Sequence, residues 1–268
     1  MSSTTQTSSA ALEGRLWSVR ADDWAGIQER QVAPAYEAAL DALGVGPSTR
    51  LLDAGCGAGM FIRLAADRGA DVHGLDASEG LLAYARGRVP GAPLLQGELE
   101  QLPYDDASFD IVTGFNSFQY AARPAVALAE ARRVARPEGL VLLLNWAPAE
   151  LCEAAGYLMA LGRLMPPPPP GTPGPFALSD PEALNALFDD AGLDVLAVQD
   201  VECVWRYPDE PTAVAGLMCS GPVVGVIEHA GEQAVRAATR SFLEPFRTAD
   251  GGYRITNVFR YVIGTPRT

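Results

Sequence analysis

Short apolar runs alternate with mixed stretches along much of this chain. Arg50-Leu51-Leu52-Asp53-Ala54 predicts a buried strand. After a glycine-rich turn, Met60–Arg68 predicts an amphipathic helix that ends at Gly69. Asp71–Leu75 predicts a second strand closed by Asp76, and Ser78 is a good N-cap for a helix running to Arg88. Pro93–Gln96, Phe109–Phe115 and Gly139–Trp146 predict three more strands, with a helix from Pro124 to about Ala135. The last of these strands is apolar throughout, as a strand covered on both faces should be. Strand and helix alternating in this way predict βαβ units and a parallel sheet, an α/β fold.

The flanks read differently. MSSTTQTSSA is rich in Ser and Thr, so residues 1–11 predict a disordered tail. Residues 12–46 predict a helical segment, with Trp17, Trp24, Ile27, Val32, Tyr36 and Leu40 as its apolar points and Gly44 and Gly46 at its end. Residues 47–147 hold the α/β core. Residues 148–180 predict a lid-like insertion, helical over 148–165 and then broken by a proline-rich spacer at 166–175. Ser179 and Glu182 have capping-box spacing for another helix. Residues 181–268 predict the rest of the sheet, with strands at Val195–Trp205 and Tyr253–Ile263 and a cap of one or two helices at 209–247.

Composition narrows the function classes. A net charge of −13 makes nucleic acid and anionic membrane surfaces poor partners. Every basic residue is Arg, which rules out a Schiff-base lysine. Four scattered cysteines and two histidines, with no CxxC pair, predict neither a metal site nor a disulfide framework. The N-terminus has no apolar signal region and no run approaches transmembrane length. These features predict a cytoplasmic protein, a monomer or homodimer, with a small-molecule substrate.

The chemistry starts at Asp53-Ala54-Gly55-Cys56-Gly57-Ala58-Gly59. Glycines at alternate positions let a ligand meet the backbone closely. A dinucleotide turn, G-x-G-x-x-G, needs its third glycine at position 60, where this chain has Met60. Asp53, just before the glycines, opposes a pyrophosphate and suits a cation such as an α-amino group. Asp76, at the end of the second strand, suits the two hydroxyls of a ribose. Two carboxylates with backbone amides between them describe a site for an adenosyl amino acid bearing a sulfonium.

This segment resembles motif I of class I S-adenosylmethionine-dependent methyltransferases, in the small-molecule, methyltransferase-11-type subgroup related to the ubiquinone-biosynthesis C-methyltransferases. Gly97-Glu98-Leu99-Glu100-Gln101-Leu102-Pro103-Tyr104 is similar to the family's G-D-A-E-x-L-P-F stretch, Phe109-Asp110-Ile111-Val112 to F-D-x-V, and Glu130 to Gly139 to E-x-x-R-V-L-x-P-G-G. The likeness covers roughly residues 48–146. It implies a Rossmann-like doubly wound, mostly parallel seven-stranded sheet with an antiparallel last strand and helical cap elements. It implies S-adenosylmethionine as cofactor, with S-adenosylhomocysteine as product. The cofactor candidates are Asp53, Gly55, the backbone of Cys56, Gly57, Gly59, Asp76, Ala77, Glu98, Leu99, Asn116 and Trp24. Glu98 stands where the family usually has Asp, and Leu99 replaces a small residue.

Phe118, Gln119 and Tyr157 are the substrate-site candidates, and His229, Tyr157 and Gln119 are the candidates for a catalytic role. Transfer from a sulfonium needs proximity and alignment more than it needs a base, and no catalytic triad is present. The apolar cap predicts an apolar or aromatic acceptor, methylated on oxygen, nitrogen or carbon, in secondary metabolism. A cofactor-binding enzyme that does not methylate (a cyclase or decarboxylase), a pseudoenzyme and, less favoured, an NAD-dependent oxidoreductase stay open.

Overall fold

The computed structural model describes residues 9–168 and 174–267. Residues 1–8 of the expected tail and 169–173 of the proline-rich spacer lie outside them. The first helix, α1 (Ser9–Ser18), begins inside the stretch expected to be tail. The expected single helical segment is broken. After α2 (Ala21–Asp23) comes a π turn at Trp24–Gln28, a 3-10 turn at Glu29–Val32, and then α3 (Ala33–Ala42).

The core alternates strand and helix: β1 (Arg50–Ala54), α4 (Met60–Asp67), β2 (Asp71–Asp76), α5 (Glu79–Arg88), β3 (Leu94–Gln96), β4 (Phe109–Phe115), α6 (Pro124–Val134) and β5 (Ala135–Trp146). Ser78 does cap α5, its hydroxyl accepting from the Leu81 amide at 3.2 Å. β5 starts earlier than the apolar run suggested because Ala135 pairs with Phe109 ahead of a register shift. Beyond the core lie α7 (Ala155–Gly162), α8 (Pro181–Asp190), β6 (Leu193–Tyr207), α9 (Glu210–Leu217), α10 (Gly221–Ala230), α11 (Glu232–Leu243) and β7 (Tyr253–Pro266). The α8 cap is Asp180, which accepts from the Ala183 amide; the Ser179 hydroxyl instead donates to the Phe176 carbonyl. The cap expected as one or two helices is three, because Ser220 and Pro222 start α10 afresh and Gly231, at φ +87°, ends it.

The seven strands form one sheet in the order β3-β2-β1-β4-β5-β7-β6. The first five are mutually parallel, and β7 runs antiparallel to both β5 and β6. This is the doubly wound arrangement with one antiparallel strand. Side chains alternate across the sheet: Leu51, Ile111 and Leu142 join one core with α3 and α4, while Leu52, Val112 and Val141 join another with α6 and α8. Helices α7, α9, α10 and α11 extend the first core through Tyr157, Leu217, Val223 and Val235.

Strand order reverses between β1 and β4. Connections leave these neighbours in opposite directions, so a crevice opens at their carboxyl ends, where ligands of such folds bind. Among the described residues no single helix is long and apolar enough to cross a membrane. The pair α9 and α10, bent by 94°, passes on length and composition only, and both helices are built into the first core.

Candidate cofactor and acceptor sites

A cavity occupies the β1/β4 crevice, with about 830 Å3 of empty space including its open side. Gly55 and Gly57 form part of its floor, and Asp76, Ala77 and Leu99 line one side. Gly55 needs to be glycine on two counts. Its φ is +89°, and a Cβ would lie 2.3 Å from the Ser117 Cβ. Asn116, the residue after β4, also has a positive φ of +52°, which an Asn tolerates better than most side chains. Asn116 lines the cavity, and its Oδ1 is buried with no hydrogen-bond partner among the described residues.

The backbone of the turn behaves otherwise than the sequence suggested. Its amides are spent internally: Gly55 and Cys56 donate to the Leu75 carbonyl at 2.7 and 3.0 Å, Gly57 to Asp76 Oδ2 at 2.8 Å, and Gly59 to the Cys56 carbonyl at 3.0 Å. The glycines therefore clear space rather than donate. Asp76 is braced by Gly57 and by the Ser78 amide on its other oxygen, also at 2.8 Å. A carboxylate offers about four acceptor sites, so capacity remains for a ligand. Burial pushes the Asp76 carboxyl up, and these backbone donors oppose the shift.

Four cofactor candidates lie apart from the cavity wall. Asp53 is 2% exposed behind the turn, accepting from the Thr113 hydroxyl at 2.7 Å. Burial pushes its carboxyl up to about 7; the Thr113 bond opposes this, and the Asp76 and Glu29 charges add to it. Cys56 is buried, its sulfur packed toward Gly74 and Leu94. Gly59, at φ +85°, begins α4 where a Cβ would strike Ala85 at 2.8 Å. Glu98 sits between Gly97 and Leu99, which both line the cavity while it does not.

The N-terminal segment supplies groups the sequence reading passed over. Glu29 is 2% exposed and accepts from the Met60 amide at 3.2 Å, capping α4. Arg88 pairs with Glu29 and donates to the Ala58 and Ala25 carbonyls at 2.9 and 2.6 Å. This joins the N-terminal segment, the glycine turn and α5. Burial raises the Glu29 carboxyl, and Arg88 opposes the rise. In the π turn the Glu29 amide reaches the Trp24 carbonyl, and a π turn sets residues five apart on nearly one face. Trp24 Nε1 and Glu29 Oε1 consequently both approach Gly57, 3.7 and 3.6 Å from where its Cβ would be. Trp24 Nε1 has no partner. Glu13, on α1, also lines the cavity with a buried, unpartnered Oε2, and burial raises its carboxyl.

A second, larger cavity adjoins the first, with about 1860 Å3 of empty space. Trp17, Trp24, Val32, Asn116, Tyr120 and Ala121 line both, so the two spaces meet. The junction is aromatic: Trp17 stands edge-on to Trp24 at 4.8 Å and to Tyr120 at 5.8 Å between ring centroids. Burial pushes the Tyr120 hydroxyl up to about 12. The substrate candidates divide. Gln119 lines the larger cavity, but Phe118 is 1% exposed in the second core and lines neither. The 3-10 turn Phe118–Tyr120 explains this, since successive side chains point about a third of a turn apart.

Tyr157 lines the larger cavity with its ring, but its hydroxyl reaches the Leu217 carbonyl at 3.2 Å and the Thr239 hydroxyl at 3.1 Å. Burial raises it well out of the range of a base. His229 is exposed on the last turn of α10 and lines neither cavity. Its helical pattern gave no sign of which way the ring would face.

A doubly wound sheet, a crevice with an acidic residue closing β2, and an adjoining apolar chamber define an α/β protein with two joined cavities at the carboxyl ends of its strands. Residues 52–143 match the family model of a methyltransferase domain. Over 132 residues the chain is 38% identical to a malonyl-[acyl-carrier protein] O-methyltransferase of Serratia marcescens, covering 48% of this chain and 52% of that protein. Over 118 residues it is 36% identical to a demethylmenaquinone methyltransferase of Beutenbergia cavernae, covering 42% and 49%. The chain thus spans about half the length of the curated relatives it matches. Among solved structures, the [4+2]-cyclase SpnF shares the fold with a TM-score of 0.58 at 20% identity, over 91% of this chain and 85% of that one.

Proposed function

We propose that this protein transfers a methyl group from S-adenosylmethionine to a small, largely apolar or aromatic molecule, acting mainly by holding the two together. The observation that carries this reading is the shared wall: six residues line both the crevice beside Asp76 and the apolar chamber. The crevice fits the cofactor. Asp76 has acceptor capacity left for a ribose hydroxyl, Ala77 and Leu99 offer apolar contact for adenine, and the side-chain-free Gly55 and Gly57 admit the amino-acid portion. The buried, unpartnered Asn116 Oδ1 and Trp24 Nε1 await polar partners there.

When bound, the cofactor supplies the electrophilic methyl group and its own leaving group. The chain's part is placement. Trp17, Trp24 and Tyr120 narrow the junction and exclude water, and their ring faces suit a neighbouring cation. Asp53, Asp76 and Glu29 give the turn a negative field that favours the sulfonium and the α-ammonium. No group lining the chamber among the described residues is placed as a general base, so the acceptor must present a nucleophile that transfers without one.

The test is incubation with methyl-labelled cofactor and a panel of apolar acceptors. Label is expected in the acceptor, with S-adenosylhomocysteine as co-product. Cofactor binding without loss of label to any acceptor would favour a second reading, a cofactor-binding cyclase. That reading is supported by the lack of a base among the described residues that line the chamber and by the fold shared with the [4+2]-cyclase SpnF.

A further inference from the structure

Two polar atoms in the wall of the larger cavity have no explanation in the cofactor. Asn145 Oδ1 and Trp205 Nε1 are buried and make no hydrogen bond. Asn145 is 2% exposed and Trp205 6%, and both line the acceptor chamber while neither lines the cofactor crevice. Buried polar atoms in native proteins are nearly always paired, so each orphan calls for a reason. Here one acceptor and one donor sit unpaired in residues that line the same empty space.

The chamber is also uncharged. Among the described residues that line it there is no Asp, Glu, Arg or His, in a chain with 20 basic and 33 acidic residues. An ionised group brought into it would leave water without gaining a counter-charge from the wall, which is costly. Its shape suits a flat skeleton. Trp146 stacks on Phe259 with ring centroids 4.6 Å apart and planes at 30°, and Trp205 lies 5.8 Å from Trp146. Such a wall takes an aromatic ring system in offset contact. The chamber wraps around the carboxyl edge of β5. Leu178, on one side, packs against the core of α6 and α8, and Tyr157 and Val223, on the other, belong to the core beneath the cap.

We propose that Asn145 and Trp205 are specificity-determining residues that anchor an uncharged, multi-ring acceptor by its oxygen substituents. Asn145 Oδ1 accepts from a hydroxyl of the acceptor, and Trp205 Nε1 donates to a carbonyl or hydroxyl oxygen. The proposal rests on the reading of this chamber as the acceptor site. It adds that the acceptor enters neutral, and that a carboxylate- or phosphate-bearing molecule is rejected by the chamber wall.

The test uses three probes with one skeleton: pyrene, 1-hydroxypyrene and pyrene-1-carboxylate. Binding to the full chain, saturated with S-adenosylhomocysteine at pH 7, is followed by the anisotropy of pyrene emission. The hydroxyl compound is expected to bind about three- to tenfold more tightly than pyrene, the gain of a hydrogen bond to a buried partner. The carboxylate is expected to bind more weakly than either. In Asn145→Leu or Trp205→Phe the preference for hydroxyl should fall below about twofold, with pyrene affinity retained. Calorimetry with S-adenosylhomocysteine confirms that each variant is folded. Equal binding of pyrene and 1-hydroxypyrene by the unmutated chain, or tighter binding of the carboxylate, overturns the proposal without any variant. So does a hydroxyl preference that survives both substitutions. Failure of the unmutated chain to bind S-adenosylhomocysteine would instead defeat the cofactor reading, so the two failures are distinguishable.

Discussion

Cofactor binding should release a proton, and Asp53 is the group that makes this measurable. It is enclosed behind the glycine turn, with Asp76 and Glu29 close enough for their charges to act on it. Arg88 answers Glu29, while among the described residues Asp53 is met by the Thr113 hydroxyl. Burial raises its pKa from 3.8 to about 7, so near neutrality much of it is protonated in the free protein. A sulfonium and an ammonium arriving next to this group favour its ionised form. Below about pH 7 binding must then expel the proton, and affinity falls by up to about tenfold per pH unit. The rise from 3.8 to about 7 is about three units. At about 1.4 kcal/mol per unit, full reversal by the ligand bounds the effect at about 4 kcal/mol. Half reversal gives about 2 kcal/mol.

The same shift acts on folding with the opposite consequence. A carboxyl whose folded pKa is raised stabilises the protein fully below its unfolded value of 3.8, and that contribution is lost as pH rises through about 7. Asp53→Asn keeps an oxygen for Thr113 but does not titrate. At pH 8 the variant is expected to be at least as stable as the parent yet to bind S-adenosylmethionine more weakly. Titration calorimetry across neutral pH, in buffers of differing ionisation heat, counts the protons directly. A parent affinity that is flat between pH 6 and 8 with no proton release would refute the reasoning, as would an Asn variant with the parent's pH profile.

Two substitutions test the crevice itself. Gly55→Ala forces a side chain to φ +89° and to within 2.3 Å of the Ser117 Cβ; strain alone is expected to cost about 1–2 kcal/mol in chemical denaturation, with the clash adding to it and cofactor affinity falling more than about tenfold in calorimetry. Asp76→Ala is expected to weaken cofactor binding by about 1–3 kcal/mol, and an unchanged dissociation constant would rule out its place on the ribose.

The strands and the glycine turn were legible because their signals are local. Parallel strands buried on both faces are unbroken apolar runs such as Val141 to Leu144, and the glycines and acids of the turn lie within one βαβ unit. Phe118 was misread because a single 3-10 turn sends adjacent residues to different places, Phe118 to the core and Gln119 to the chamber. His229 was misread because a short helix shows its exposed face only against its neighbours. The chamber had no local signature at all. Asn145, Trp205, Tyr157 and Phe259 come from separate elements, and only the antiparallel pairing of β7 with β5 and β6 gathers their strands at one edge. Its apolar character was readable from composition, but its two polar anchors were not.

The choice between a dinucleotide and an adenosyl amino acid shows how far a decisive residue can lie from its motif. Sequence spacing argued against a pyrophosphate from Met60 in the place of a third glycine. The structure gives a stronger reason. A pyrophosphate needs free amides at the start of the helix after the turn, and in this protein the Met60 amide is held by Glu29, 31 residues upstream. The amides of Gly55, Cys56, Gly57 and Gly59 are bound to Leu75, Asp76 and Cys56. A polyanion would meet Asp76 at the wall with the Glu29 and Asp53 carboxyls buried behind it, an arrangement that suits a cation better, with Arg88 committed to Glu29. The N-terminal segment that carries Glu29 also carries Trp17, Trp24 and Val32, which line both cavities, and it is tied to the cap through Arg15–Glu228 and Arg20–Glu232. One stretch of chain therefore sets the charge that the crevice accepts and forms part of the wall against which an acceptor must fit.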